Sequence, residues 1–374
     1  MKNTENVYLD YSATTKADPK VLAYFNDLAQ NYSANPNSHH LLGEAAKNKI
    51  DEAISNICDY FSIKEEELIF TSGASESNNL AIKGLAENVK GKHLITTELE
   101  HSSIYGPIGY LQKHGYRVDF VQLTKEGTVD LEHLKSLLKD DTFLVSICAI
   151  DSEVGIRQPI EEIGLLLKDY PNTYFHSDIT QALGKVKLDL TNVDLASFSG
   201  HKIFCFKGIG GLIKRKGIKL TPLVHGGKST TVFRSGTPAT ELIGALSESF
   251  NLFKNNLDEK YLLVKSLNKQ LCEALTEFKE IYINSNEHSI PQILNISIMG
   301  RNSNDTQSFF TKHGISLSTK TACANNDDLS KSVLALTKDE GRALSSIRIS
   351  LSYKTTAEEI NYFIKVLRKY LGVK

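Results

Sequence analysis

Short apolar runs alternate along this chain with stretches in which apolar positions recur every three to four residues. Val21, Leu22, Phe25, Leu28 and Ala29 keep one face after Asp18-Pro19, which reads as an N-cap followed by proline in the first helical turn. Ala46, Ile50, Ala53, Ile54 and Ile57 mark a second amphipathic helix over residues 43–59. Residues 67–71 read as a strand, and Ser72-Gly73-Ala74-Ser75-Glu76 opens the next helix with a glycine turn and hydroxyls, a ready anion site. Further strands are predicted over 93–97, 116–121, 143–150, 174–177, 195–198 and 210–214, with helical segments between most of them. Strands spaced by helices predict a largely parallel sheet with both faces covered, and ligands gathered where the strands end.

The texture changes after Pro238. Long helical stretches over 240–255 and 258–280 precede strands over 281–284, 292–298, 315–318 and 347–351, which predicts a smaller α+β unit. The last helix opens on a capping box, Thr356-Ala357-Glu358-Glu359, and buries Ile360, Phe363, Ile364, Leu367 and Leu371. Lys214-Arg215-Lys216-Gly217 reads as a solvated turn.

Composition narrows the partners. Forty-three Lys+Arg against 44 Asp+Glu leave a net charge of −1 over 374 residues, so no broad basic field draws the protein to nucleic acid or anionic lipid. Small metabolites are the expected ligands. The N-terminus is polar and no apolar run approaches membrane-spanning length, so a cytoplasmic protein without membrane contact is expected. The five cysteines are widely spaced, lack a Cys-x-x-Cys pair and are expected as free thiols.

Candidate chemistry centres on residues 174–202. Tyr174-Phe175-His176-Ser177-Asp178 and Leu195-Ala196-Ser197-Phe198-Ser199-Gly200-His201-Lys202 are two apolar runs that end in polar residues, one in a carboxylate and the next in an amine. An acid for a protonated ring nitrogen and a lysine for an aldehyde suit pyridoxal 5'-phosphate (PLP). Alone, Asp178 is as readily a turn acid and Lys202 a solvated lysine; the other motifs carry the assignment.

Those motifs run in order: Tyr8-Leu9-Asp10-Tyr11-Ser12-Ala13-Thr14-Thr15, Phe70 through Asn79, Glu100-His101, Asp178 with Gln181, Ser199-Gly200-His201-Lys202, Arg234-Ser235-Gly236-Thr237 and Ser346-Ile347-Arg348-Ile349-Ser350. Together they resemble the cysteine desulfurases, class-V aminotransferases of PLP fold type I. The resemblance implies an α/β fold with a mostly parallel, seven-stranded type of central sheet. It also implies a large PLP-binding domain over 15–250 and a small α+β domain from 1–14 and 251–374.

By resemblance, Lys202 bonds the cofactor aldehyde and then carries a proton, Asp178 pairs with the pyridine nitrogen, His101 stacks on the ring and Gln181 bonds its hydroxyl. Ala74, Ser75, Ser199 and His201 match phosphate ligands. Thr237 matches a phosphate contact given by the neighbouring subunit, which implies a homodimer with shared active sites. Arg348 matches the holder of the substrate carboxylate. Cys323, in a polar loop with the spacing of the long-loop group, matches the nucleophile that takes sulfur from L-cysteine as a persulfide, leaves L-alanine and passes the sulfur to an unidentified acceptor protein.

The chain departs from the family at several points. Asp151-Ser152-Glu153 stands where Asn-Asn-Glu is usual, so Ser152 replaces a longer contact to the substrate carboxylate, and strand alternation turns Asp151 away from the pocket. Cys205-Phe206-Lys207-Gly208 replaces Gly-Pro-Lys-Gly, so that turn must be built differently, and Gly226-Gly227-Lys228-Ser229-Thr230-Thr231 replaces a glycine-rich segment. The chain ends at Lys374, without the longer tail that engages an iron–sulfur scaffold in housekeeping members, so that partner is not expected. Alternatives are a related PLP enzyme, such as a selenocysteine lyase or one acting on another amino acid, and a non-catalytic PLP-fold partner. Cys58, Cys148 and Cys272 read as core residues, and Cys205 is left as a candidate second active-site thiol.

Overall fold

The computed structural model describes residues 6–319 and 329–373. Strand β1 (Val7–Tyr8) leads to helix Pro19–Asn31, which Asp18 caps by accepting a hydrogen bond from the Lys20 N–H with Pro19 in the first turn, as its sequence predicts. Its inward face is narrower than expected: Val21 and Leu28 are buried, whereas Leu22 and Ala29 are exposed. Helix Leu41–Phe61 follows and packs, like the first, against helix Thr240–Asn251.

Strands β2 (Leu68–Thr71), β3 (His93–Thr96), β4 (Arg117–Phe120), β5 (Thr142–Ser146), β6 (Tyr174–Asp178), β7 (Leu195–Ser199) and β8 (Gly210–Lys214) form one sheet in the order β2-β8-β7-β6-β5-β3-β4. Every pair is parallel except those made by β8, which runs antiparallel to both β2 and β7. The interior strands are apolar and buried along their whole length, as a sheet covered on both faces requires. The expected strand over 143–150 stops at Ser146. Beyond it the backbone still reaches β6, with Ile147 N–H donating to His176 O and Ala149 N–H to Asp178 O, but then curls towards the sheet's carboxyl edge. Lys214 is not solvated as expected: it is 5% exposed, its Nζ donates to the Ile218 carbonyl, and it lies over the Phe233 ring.

The remaining strands, β9 (Ile281–Ile283), β10 (Ile293–Ile298), β11 (Ile315–Ser316) and β12 (Ser346–Ser350), belong to the second part of the chain. The antiparallel sheet β12-β10-β9 packs beneath helices Leu257–Leu275 and Ala357–Leu371, and β1 pairs in parallel with β11 in a separate two-stranded sheet. The capping box of Thr356 and Glu359 opens the last helix as predicted. One apolar core fills the large sheet's interior, with Phe175, Phe198 and Phe250 fully buried. A second, around Phe310 and Phe363, takes in Val7 and Leu9 from the N-terminus. That return of the N-terminal strand brings residues 10–15 across the carboxyl edge of the large sheet, where the site lies. Among the described residues, no helix is long and apolar enough to cross a membrane.

Candidate active site

A cavity of ≈ 250 Å³ opens at the carboxyl ends of β6 and β7, lined by Ser12, Ala74, Ser75, His101, Ser152, Asp178, Gln181, Ser199, His201, Lys202 and Arg348 among others. Among the described residues, every expected site residue lines this one space except Thr237 and, as a thiol candidate, Cys205.

Asp178 is the last residue of β6. Its Oδ2 accepts from Asn78 Nδ2 at 2.8 Å and its Oδ1 from the Thr180 N–H at 2.9 Å, so the carboxylate is clamped from both sides. Asn78 belongs to helix Ala74–Asn79 and also donates to Ser103 Oγ at 2.8 Å. Sequence reading quoted Asn78 within a motif without giving it a task; its signal was a buried amide one helical turn from Ala74.

Lys202 sits in the 3₁₀ turn Gly200–Lys202 that follows β7. Its Nζ donates to the carbonyls of Ser12 at 2.5 Å and Ala13 at 2.6 Å. The same N-terminal segment places Thr14 Oγ1 3.1 Å from His201 Nδ1 and sends the Thr15 N–H to His201 O. Burial pushes the His201 pKa down to about 4, so its ring is neutral at neutral pH. Phe204 takes a positive φ of 64° just beyond, and Gly208 one of 85°, which is how this chain turns without the usual glycine and proline. The Phe204 N–H donates to Thr15 Oγ1 at 2.7 Å, which holds the unusual backbone in place.

Between β2 and the following helix the backbone forms a cradle. Gly73 adopts φ +147°, where a Cβ would lie 3.0 Å from Ser199 Oγ, and Ser199 Oγ accepts from the Ala74 N–H at 2.9 Å. A Cβ on Gly210 would come within 2.6 Å of the Gly73 Cα, so the close approach of β8 depends on glycine.

His101 caps helix Ser102–Lys113, its Nδ1 accepting from the Ser103 N–H at 3.1 Å, while the ring also lines the cavity. Burial lowers its pKa, and the Lys202 charge adds to that against an opposing pull from Asp178. Beside it, Glu100 is fully enclosed; burial raises its pKa to about 8 despite hydrogen bonds from the Cys148 N–H and Thr97 Oγ1. Gln181 donates from Nε2 to Ser12 O at 3.0 Å and accepts at Oε1 from Lys185 Nζ at 2.6 Å. Burial, aided by the Lys202 and Arg348 charges, holds the Lys185 pKa well below that of an ordinary lysine.

Opposite the sheet, β12 contributes Arg348, which is 1% exposed. Its Nη2 pairs with Asp10 Oδ1 at 3.0 Å and its Nη1 donates to the Ser152 carbonyl at 2.8 Å, while Nε has no partner among the described residues. Ser152 faces the cavity and Asp151 turns into the protein, but from a tight turn capped by Asp151 itself and not from the extended backbone that strand alternation requires. Nothing local marks the pairing of Asp10 with Arg348, 338 positions away, whereas Lys185 meets Gln181 only four positions back.

Thr237 lies in a separate depression with Thr71, Gly208 and Arg234. Cys323 lies outside the described residues. Cys205 is corrected: it is 1% exposed inside the main core, burial pushes its pKa up to about 12, and it does not line the cavity. Cys148 does line it, but burial holds its thiol well above the ordinary range.

The residues present suit PLP. A clamped carboxylate, an amine, and a glycine cradle with hydroxyls and N–H groups answer the ring nitrogen, aldehyde and phosphate of that molecule. Ser12 Oγ and Thr180 Oγ1 are buried, belong to residues that line the cavity and have no partner among the described residues.

Comparison with known proteins agrees. The chain matches the family "Aminotransferase class-V" over residues 7–363. It is 36% identical over 371 residues to a cysteine desulfurase IscS of Rickettsia bellii, covering 96% of this chain and 90% of that one. It is equally 36% identical over 378 residues to the IscS of Escherichia coli O139:H28, covering 98% and 93%. A solved NifS-like protein superposes with a TM-score of 0.93 at 32% identity, covering 98% of this chain and 99% of that chain. The chain therefore belongs to the class-V aminotransferases, enzymes that work with PLP. Within them its place is among the cysteine desulfurases.

Proposed function

We propose that this enzyme takes L-cysteine into the cavity, releases L-alanine and leaves the sulfur as a persulfide on Cys323. The observation that supports this most is the convergence of Asp178, Lys202, His101 and Arg348 on one cavity from separate elements. PLP, when bound, supplies an electron sink for the pair released at the substrate's α-carbon.

This chain's residues do the rest. Ala74, Ser75, Ser199 and His201 hold the phosphate, Gln181 the ring hydroxyl, and Asp178, clamped by Asn78, the protonated ring nitrogen. Lys202 would hold the aldehyde and, once the substrate amine has taken its place, would carry the α-proton at its Nζ. His101 covers one face of the ring. Arg348 receives the substrate carboxylate through donors that Asp10 and Ser152 leave free, a task suited to its planar fork. Ser152 lies beside that seat.

Cys323, as thiolate, attacks the substrate sulfur. A sulfur–sulfur bond forms, the Cβ–S bond breaks, and its electron pair goes to Cβ, which takes a proton. L-cysteine and the Cys323 thiol thus become L-alanine and the Cys323 persulfide, with no further oxidant. The persulfide passes to an acceptor protein. Thr237, away from its own cavity, serves the site of a second copy in a homodimer.

The test is to incubate PLP-loaded protein with L-cysteine and follow alanine, sulfide and the mass of the Cys323 peptide together. Alanine formation with a sulfur added at Cys323, and its loss in Cys323→Ala, is the expected result. Cofactor-loaded protein that makes no alanine overturns the reading, and alanine that persists in Cys323→Ala overturns the role of that thiol.

A further inference from the structure

The turn over residues 151–155 holds two buried acids. Asp151 is 1% exposed, and its Oδ2 accepts from the backbone N–H groups of Glu153 at 3.2 Å, Val154 at 2.5 Å and Gly155 at 3.3 Å. Its other oxygen accepts from Ser332 Oγ at 2.8 Å. Glu153 accepts from Ser330 Oγ at 2.5 Å. Ser330 is in turn the N-cap of helix Lys331–Thr337, its Oγ accepting from the Val333 N–H at 3.2 Å. Two carboxylates of one turn therefore grip the first residues that follow the stretch containing Cys323.

The same turn faces the cavity through Ser152, whose carbonyl accepts from Arg348. On the preceding side of the Cys323 stretch, Ser318 and Arg348 exchange backbone hydrogen bonds, at 2.6 Å and 3.3 Å. The Ser318 hydroxyl donates at 2.8 Å to Asp10 Oδ1, the same oxygen that pairs with Arg348. The preceding flank of the Cys323 stretch is thus fastened to Arg348 and Asp10, and the following flank to the two neighbours of Ser152, whose carbonyl Arg348 holds. Asp151 therefore does two things at once, capping its own turn and holding Ser332. Burial and the neighbouring Glu153 raise the Asp151 pKa to about 6, the electrostatic cost of keeping two acids in this turn.

We infer that Asp151 is a positioning residue: through Ser332, and alongside Glu153 with Ser330, it sets where the Cys323 stretch joins its following helix relative to the carboxylate seat at Arg348. It governs transfer of sulfur to Cys323 and leaves the binding of cofactor and cysteine alone. The inference rests on the reading of Cys323 as the sulfur-accepting thiol.

The experiment measures alanine formation against cysteine concentration in PLP-loaded Ser332→Ala, Ser330→Ala/Ser332→Ala, Asp151→Ala and Asp151→Asn, with PLP absorbance, thermal midpoint and Cys323 persulfide yield. Expected are a fall in kcat of roughly 10-fold in Ser332→Ala, a larger fall in the double variant, KM within about twofold and full PLP content. Asp151→Asn keeps an acceptor for the three N–H groups and can donate to Ser332 Oγ, so it recovers most of the kcat lost in Asp151→Ala. Wild-type kcat in the double variant, a loss confined to KM, or a loss matched by lost PLP or by unfolding overturns the inference. Cys323→Ala separates the two readings: if it is inactive while the double variant is unaffected, the anchoring fails alone; if it still makes alanine, the thiol assignment fails as well.

Discussion

The two walls of the cavity are built differently. The cofactor wall comes from the ends of adjacent strands in one sheet: Asp178 closes β6, and Ser199 to Lys202 close β7, its neighbour in the parallel ladder. The substrate wall is assembled from Asp10, Ser152 and Arg348, which are far apart in sequence and meet only where the second core docks on the first. On the first wall each side chain is held by a strand end and one clamp. On the second, each contact depends on the other two, so substitutions there should read out as substrate effects and those on the first as cofactor effects.

The largest expected effect is on the cofactor wall. Lys202→Ala should lower alanine formation by ~10³-fold or more, because among the described residues no other amine lines the cavity beside the Ser12 and Ala13 carbonyls, and the visible absorbance of bound PLP should change with it. Retained turnover would break the division between the walls. Arg348→Lys is next. It keeps the charge beside Asp10 but loses the fork, so kcat/KM for L-cysteine should fall by roughly 100-fold while PLP content holds, as titration of absorbance and initial rates will show.

Asn78→Ala sharpens the comparison from the other side. It removes one of two clamps on Asp178, and PLP affinity should weaken by about 10-fold, measured by cofactor titration of the apoprotein, with KM for cysteine little changed. The smallest effect is on stability. Glu100 has a folded pKa of about 8 against an ordinary 4.5, so the folded state holds its proton more tightly and stability falls as pH rises through that interval. Glu100→Gln keeps an acceptor for the Cys148 N–H and carries no charge. Its melting temperature should match wild type near the low end of that window and exceed it by roughly 2–5 °C above the high end. A constant difference at all pH values would mean that Glu100 has the same pKa in the folded and unfolded protein.

The strand and helix pattern was legible from residue 18 onwards because a covered parallel sheet demands continuous apolar runs, and the site lies where those runs end. The errors fell where tertiary contacts overrode local pattern. Leu22 reads as inward by periodicity but is exposed, Lys214 reads as a turn residue but is buried against Phe233, and Cys205 follows Lys202 closely yet points into the core. Asp10 and Asn78 went unassigned because each acts on a partner that only the folded chain brings near.

By itself the sequence determined the fold class and, through its ordered run of motifs, the cofactor, and it marked an acid and a lysine within 25 residues of one another at neighbouring strand ends. The departures at Asp151 and Ser152 were visible there too, although a hydrogen-bonded turn and not strand alternation faces them apart. Only the tertiary structure decided what those departures do. The return of the N-terminal strand brings Asp10 to Arg348, and the close approach of the turn over 151–155 to helix Lys331–Thr337 brings Asp151 and Glu153 to Ser332 and Ser330. Such pairings span more than 170 positions, and hydrogen bonds at that separation leave no periodic trace in the chain.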